Sequence, residues 1–140
     1  MRCQLTAAIA LLYLVPTPML AQETVMAGIA VAQAPEAGLG VCLGLDAAGT
    51  MECAQNECME QSGLGELDCA VNLWCYPHGW TAQIAVMHTE GIHWTKVVCD
   101  QNNREQLDAA VAFYCNDKAF MECVPVRIWD PQGTAVLDFD

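Results

Sequence analysis

Three histidines, His78, His88 and His93, are the side chains of this sequence best suited to bind a metal ion or to move a proton near neutral pH. His88 and His93 flank a turn at Glu90, so a hairpin there would bring two imidazoles and a carboxylate together as a weak metal site. Exposed polar side chains at a turn explain the same pattern, and we favour that interpretation. By repeat symmetry, Glu36 and Glu90 form a second hypothetical pair, the acid and base of a hydrolase, which no motif supports.

The cysteines say more about this protein than the histidines do. Of nine cysteines, Cys3 lies within the first 21 residues and eight follow: Cys42, Cys53, Cys58, Cys69, Cys75, Cys99, Cys115 and Cys123. An even number of cysteines in an oxidising compartment favours a disulfide framework. The closest spacings leave four and five residues between cysteines, whereas a zinc knuckle or a thioredoxin-like motif needs two. We therefore predict four disulfides and no metal or other cofactor.

The tryptophan content is high for a chain of 140 residues, with four in all: Trp74, Trp80, Trp94 and Trp129. Tryptophans at strand ends with acidic neighbours can form a binding surface for a protein or a glycan. Packing in the core explains each of them as well and is favoured for any single one. Trp80 is the best candidate for exposure because it lies in a turn.

The charge of the chain excludes one class of partner. Seventeen acidic residues face five basic ones, for a net charge of −12. After residue 21 the only basic residues are Lys96, Arg104, Lys118 and Arg127. Such a surface repels phosphate backbones, so we predict no nucleic-acid partner.

The N-terminus has the order of a cleavable signal peptide. Met1-Arg2 is cationic, residues 5–20 are apolar, and small Ala21 precedes polar Gln22. Pro16 and Pro18 interrupt the apolar run, which makes it too short for a membrane span of about 20 residues. We predict cleavage after Ala21, no membrane insertion afterwards, and a periplasmic or secreted destination.

The remaining chain contains an internal repeat. Cys42 and Cys58 are sixteen residues apart, and so are Cys99 and Cys115. Ile29-Ala30-Val31 matches Ile84-Ala85-Val86, and the turn at 77–79, which carries His78, matches the turn at 131–133, which carries Gln132. These landmarks predict two copies of one unit, residues 22–79 and 80–140, within one compact domain.

Each unit is predicted to be strand, strand, helix, strand. Asp46 begins the first helix, Asp46–Cys58, and Asn102 or Asn103 begins the second, Asn103–Cys115, with Glu105 in its first turn. The buried stripes of the helices are expected to be Thr50, Cys53, Ala54 and Cys58 in the first, and Leu107, Ala110, Val111, Tyr114 and Cys115 in the second. A last strand at 134–139 completes the sheet edge. The fold class is α+β, with both units on one mostly antiparallel, disulfide-stapled sheet.

Repeat symmetry suggests a pairing for the eight cysteines. A cysteine that ends a helix and one that opens the next strand lie close, which predicts Cys58–Cys69 and Cys115–Cys123. Cys53 and Cys75 have no counterparts in the second unit, so we expect them to bond each other. Cys42–Cys99 then joins the two units.

The pattern of a helical cysteine, preceded four residues earlier by alanine and followed by a cysteine-initiated strand, is met at Ala54, Cys58 and Cys69. It is met in part at Cys115 and Cys123. In this the chain resembles, as two tandem copies over residues 25–135, an exported bacterial family named domain of unknown function 4189. The resemblance implies a fold and no activity.

Three functions are compatible with these features. The first is an exported, acidic binding module without catalytic residues, whose partner is a protein or glycan of the cell envelope, such as a basic envelope protein. The second is an envelope hydrolase that uses carboxylates or a weak histidine metal site. The third is a structural component of the envelope. The oligomeric state is left open.

Overall fold

Small residues alternate along the first two strands and shape the first unit. A computed structural model describes residues 26–138. In it, β1 (Gly28–Ala34) and β2 (Gly38–Gly44) form an antiparallel hairpin. Since side chains alternate between the two faces of a sheet, one face of this hairpin carries only small residues: Ala30, Ala32, Ala34, Gly38, Gly40, Cys42 and Gly44. Helix α1 (Ala47–Ser62) lies on this face, so close that a Cβ added at Gly40 would come within 1.8 Å of the Ala54 carbonyl oxygen.

Local signals set the ends of α1; its start at Asp46 is confirmed, but the helix runs to Ser62 and does not end at Cys58 as predicted. The Asp46 side chain accepts a hydrogen bond from the Gly49 N–H at 2.7 Å and so begins the helix. Gly63 ends the helix with a positive φ of 69°, a left-handed conformation that glycine adopts readily. Thr50, Ala54 and Cys58 are the buried residues of the helix. Cys53, expected in the same stripe, is exposed.

The two units have the same topology. In the first, β3 (Ala70–Cys75) pairs with the free side of β1, so the sheet order is β2-β1-β3. In the second, β4 (Trp80–His88) is flanked by β5 (His93–Gln101) and β6 (Phe120–Trp129), with α2 (Arg104–Tyr114) between them in the chain. The last strand, β7 (Ala135–Asp138), pairs with β6 at the sheet edge, as predicted. The strand–strand–helix–strand order of both units is therefore confirmed.

Helix α2 packs on the second sheet through larger side chains. Asn103 begins the helix by accepting a hydrogen bond from the Gln106 N–H at 2.9 Å, and Glu105 lies in its first turn. Leu107 is fully buried against Ile84 and Ile128. The core on this side of the second sheet is therefore built from branched and aromatic residues rather than from alanine and glycine.

The α+β class is confirmed, but the units do not share one sheet. The strands form a three-stranded and a four-stranded antiparallel sheet. Ile29 and Val31, on the face of β1 opposite the alanines, are 0% and 3% exposed, so something other than α1 covers them. Val31 and Gln33 line a cleft with Thr95 and Val97 of β5. The two sheets therefore stack, and the helices cover the outer faces.

Polar contacts hold the two sheets together. In the amide orientation that satisfies both of its atoms, the Gln33 side chain donates to the Thr95 carbonyl oxygen (3.0 Å) and accepts from the Thr95 N–H (2.9 Å). At the other end of the cleft, the His78 N–H donates to Ala27 (3.0 Å), and the His78 carbonyl oxygen accepts from the Asp100 N–H (2.7 Å). The side-chain amide of Gln33 and the backbone N–H and C=O of His78 thus take the place of continuous strand pairing between the units.

All eight cysteines after residue 21 form disulfides, and two of the four predicted pairs are confirmed. Cys58–Cys69 and Cys115–Cys123 are present. The other two pairs were predicted wrongly, since the observed bonds are Cys42–Cys53 and Cys75–Cys99. Four disulfides indicate an oxidising compartment.

The faces of the strands explain the wrong pairs. Cys42 is paired with Ala30 on the face under α1, so it meets Cys53 of that helix. Cys75 is paired with Ile29 on the opposite face and cannot reach the helix. Cys99 lies where β5 has one more residue than β4, between the pairs Ala82–Val98 and Trp80–Gln101. Val98 is paired with Ala82 on the face under α2, so the next residue, Cys99, lies on the opposite face by ordinary strand alternation. There it bonds Cys75 of the first sheet.

The predicted landmark at Ile29 and Ile84 is wrong for the same reason. Ala30 and Ile84 both face a helix, whereas Ile29 faces the second sheet. Aligning Ile29 with Ile84 shifts the strand by three residues, and a shift by an odd number of residues exchanges its faces. The equivalent residues are Ala30 with Ala82 and Ala32 with Ile84. Neither helix among residues 26–138 is long and apolar enough to cross a bilayer.

Candidate functional site

The hypothetical histidine metal site is not assembled. The His88 Nδ1 accepts the Glu90 N–H at 3.2 Å and lies 3.6 Å from a Glu90 carboxylate oxygen, but His93 is not part of a ligand cluster with them. Within residues 26–138, the one group of three ligand-type atoms within 4.8 Å is formed by Cys42, Cys53 and Glu57. Its two cysteines are bonded to each other and offer no thiolate.

The second hypothetical pair, Glu36 and Glu90, lies on the two hairpin turns. A Glu36 carboxylate oxygen accepts the His93 N–H at 3.4 Å, while Glu90 contacts His88. Both glutamates are exposed. Each carboxylate therefore stabilises a turn of the second hairpin, and no described contact joins one to the other.

The four tryptophans do not form one surface. Trp74 packs on the core under α1 and stacks on Tyr76, with ring centroids 6.3 Å apart. Trp80 and Trp94 pack against the core under α2, and the Trp94 indole N–H donates to the Tyr114 hydroxyl at 3.1 Å. Trp129 is only 5% exposed. These positions fit core packing, and Trp80, proposed as the most exposed, is half-buried.

His78 is a core residue at the junction of the units. It was placed in a turn from the sequence, but its side chain is fully buried. Nδ1 lies 3.4 Å from the Thr81 hydroxyl, and Nε2 has no hydrogen-bond partner. Burial lowers the pKa of His78, against the raising effects of a backbone hydrogen bond at Gly79 and of the Asp130 charge. Since it is sealed from solvent, this imidazole cannot reach a substrate.

Charge is distributed unequally between the units. The first unit, residues 26–79, presents seven exposed carboxylates and contains no lysine or arginine: Glu36, Asp46, Glu52, Glu57, Glu60, Glu66 and Asp68. All four basic residues after residue 21 lie in the second unit. Glu52, Glu57 and Glu60 belong to α1, and all three are exposed. The outer surface of the first unit is therefore an uninterrupted source of negative potential.

A cavity lies beside this surface, at the edge of β2. It has a volume of about 220 Å³ and is lined by residues of α1, β2, β4 and β6: Leu39, Val41, Glu57, Gln61, Gln83, Val126 and Arg127. The Glu57 carboxylate accepts the Val41 N–H at 3.1 Å. The side-chain oxygen of Gln83 is buried and has no hydrogen-bond partner. A buried polar atom, a carboxylate and open space therefore coincide at this cavity.

Sequence reasoning missed Gln33, Gln83 and the burial of His78. A signal for the glutamines was present, because each interrupts an otherwise small or apolar central strand, GIAVAQA in β1 and WTAQIAVMH in β4. No comparable signal marks His78, whose burial depends on how the two units stack.

Comparisons with known proteins give no assignment. No family model matches the chain, and neither a curated protein nor a solved structure resembles it significantly. The resemblance to the domain of unknown function 4189 family stays a prediction.

Proposed function

We propose that this protein is an exported, acidic binding module that holds a cationic protein of the cell envelope or its surroundings and has no catalytic activity of its own. The observation that carries this proposal is the segregation of charge. Seven exposed carboxylates without one lysine or arginine in residues 26–79 would attract a basic surface and speed its association.

The scaffold supports the same function. Four disulfides and two stacked sheets fix the orientation of α1, so that its carboxylates need little ordering when a partner binds. The disulfides also suit the periplasm or the extracellular medium, and the resemblance to an exported bacterial family is consistent with either. The core positions of the tryptophans favour recognition by charge over recognition by an aromatic surface.

The test compares the two units directly. Binding of an oligolysine peptide to the oxidised protein is measured by calorimetry at several salt concentrations. The double variant Glu52→Lys with Glu60→Lys changes the charge of α1, and Glu105→Lys with Glu122→Lys makes the same change in the second unit. We expect the first variant to lose roughly tenfold in affinity, about 0.7 kcal/mol for each lost ion pair, and the control to lose much less.

Equal losses in both variants would mean that net charge, and not the first unit, attracts the peptide. Affinity that does not fall with added salt would contradict the electrostatic proposal altogether. The wild-type protein and the α1 variant are then used separately to capture proteins from an envelope extract. The natural partner is expected to be a basic protein that the wild type retains and the α1 variant does not.

A further inference from the structure

The cavity at the β2 edge has more hydrogen-bond acceptors than the protein uses. Gln83 Oε1 is buried without a partner, and the Glu57 carboxylate, with one bond to the Val41 N–H, retains further acceptor capacity. In an antiparallel strand the N–H and C=O of one residue point to the same side. The Val41 carbonyl oxygen therefore faces the outer edge of β2 together with its N–H.

The repeat identifies Gln83 as a departure from the pattern. Because Ala30 corresponds to Ala82, the residue of the first unit that corresponds to Gln83 is Val31, which is 3% exposed. Valine at this position buries an apolar side chain between the sheets. Glutamine leaves a buried oxygen unsatisfied, at a cost of about 1–3 kcal/mol. A residue that breaks a local rule in this way is expected at a functional site.

The unsatisfied atoms define the chemistry of the ligand. Two acceptors with unused capacity suit a group that only donates, and a primary ammonium offers three donors at the end of an apolar stem. Leu39, Val41 and Val126 supply apolar walls for such a stem. Arg127 also lines the cavity, but its guanidinium group lies 5.8 Å from the centroid of the Trp129 ring. Its charge opposes a bound cation and limits the affinity.

We propose that this cavity accepts a primary ammonium group, in particular a lysine side chain of the cationic partner, with Gln83 Oε1 and the Glu57 carboxylate as acceptors. The inference rests on the proposed function for the identity of the partner. The planar guanidinium group of arginine presents its donors in a fixed fork, whereas the ammonium of lysine presents three donors from one compact nitrogen, which can turn toward acceptors on separate residues such as Gln83 and Glu57. The site therefore selects lysine over arginine.

The experiment uses two peptides of equal length and charge, one with lysine and one with arginine, and n-butylammonium as a small probe. Binding to the oxidised wild-type chain is compared with binding to Gln83→Val, which copies the first unit, and to Gln132→Val, an exposed glutamine that serves as control. We expect the wild type and the control to prefer the lysine peptide by roughly tenfold, about the worth of one hydrogen bond to a charged group. Gln83→Val should bind both peptides equally.

The small probe separates this proposal from the proposed function. If n-butylammonium shifts the NMR signals of the Gln83 side-chain amide but neither peptide binds, the cavity is confirmed and the basic partner is not. If both peptides bind with equal affinity to the wild type, the proposal of a binding module is supported and the ammonium site is refuted. Sodium acetate that shifts the Gln83 signals where n-butylammonium does not would identify an anion site and overturn the proposal.

Discussion

The two units share a topology but pack their helices by opposite means. Beneath α1, the rows across the sheet consist mainly of small residues, such as Gly40–Ala32–Val71. The corresponding row of the second unit, Lys96–Ile84–Pro125, carries large side chains. Because small residues allow a helix to approach the sheet, α1 contacts β2 along its length. Helix α2 is held further off by large side chains, such as its own Leu107 and Trp94 of β5.

This difference shows how one topology can either bury large side chains or present a charged helix surface. Close packing leaves α1 little apolar surface of its own to bury, and its exposed side is free to carry carboxylates such as Glu52 and Glu60. Disulfides replace the missing apolar area, since Cys42–Cys53 and Cys58–Cys69 both fasten α1 to the sheet region. The second unit buries larger side chains and has one disulfide at its helix end, Cys115–Cys123.

The largest effect is expected where α1 touches β2. In Gly40→Ala the new Cβ would lie 1.8 Å from the Ala54 carbonyl oxygen and 2.6 Å from the Cys58 nitrogen. These are backbone atoms, so the helix itself must move, and we expect a loss of about 4 kcal/mol or more, above the common range for overpacking. Denaturant unfolding of the oxidised protein measures it. The matched change in the second unit, Lys96→Ala, should cost no more than about 1 kcal/mol through its lost contact with Tyr114.

The next effect concerns the bond between the units. Cys75 and Cys99 are 24 residues apart in the chain, for which the loop-entropy relation gives about 3.4 kcal/mol. Cys115 and Cys123 are eight apart, which gives about 2.5 kcal/mol by the same relation. We expect the double serine variants to be destabilised in this order by denaturant unfolding. The reverse order would show that the units are joined mainly by Gln33 and His78.

Peptide mapping without reduction checks the four bonds first. A Cys42–Cys99 peptide would contradict the assignment of these cysteines to their strand faces.

The sequence predicted what depends on neighbouring residues. Both helix caps, the strand order and the two disulfides that close short loops follow from local patterns, and all are present. The candidate site was not predictable in this way, because Gln83 and Glu57 come from different units and meet only through the stacking of the sheets.

The two wrong disulfide pairs were predicted because the strand faces of their cysteines were not considered. Equal spacing of Cys42–Cys58 and Cys99–Cys115 suggested equivalent cysteines. However, Cys42 lies on the face under α1, whereas Cys99 directly follows Val98, which lies on the face under α2, and so occupies the opposite face. The glycines that alternate with Cys42 in β2 did mark the face under α1. An alignment by face, rather than by spacing, would have paired Cys42 with a cysteine of the helix.

A smaller effect should appear only on acidification. Because burial lowers the pKa of His78 in the folded state, the unfolded chain binds a proton more readily, with a pKa of about 6.5. The stability that this neutral imidazole contributes is complete above that value and is lost as the pH falls through it toward the lower folded pKa. We expect the unfolding free energy to decrease below about pH 6.5, and His78→Gln to weaken that decrease. His93→Gln, an exposed site, is the control, and an unchanged slope in His78→Gln would contradict the assignment.

The smallest difference in stability between matched variants is expected at the helix N-caps, because both units use the same capping hydrogen bond. Asp46 accepts from Gly49 at 2.7 Å and Asn103 accepts from Gln106 at 2.9 Å, so Asp46→Ala and Asn103→Ala should each cost about 1 kcal/mol. The aspartate also interacts with the helix dipole, which is worth about 0.3–1 kcal/mol more. Asp46→Asn should therefore lose a few tenths of a kcal/mol, about the low end of that range, and Asn103→Asp should gain as much. Thermal unfolding at low and high salt resolves the charge contribution, because salt screens it. If Asp46→Ala costs nothing while Asn103→Ala costs about 1 kcal/mol, the Cys42–Cys53 bond already holds the first turns of α1, and the closer packing of the first unit makes its cap redundant.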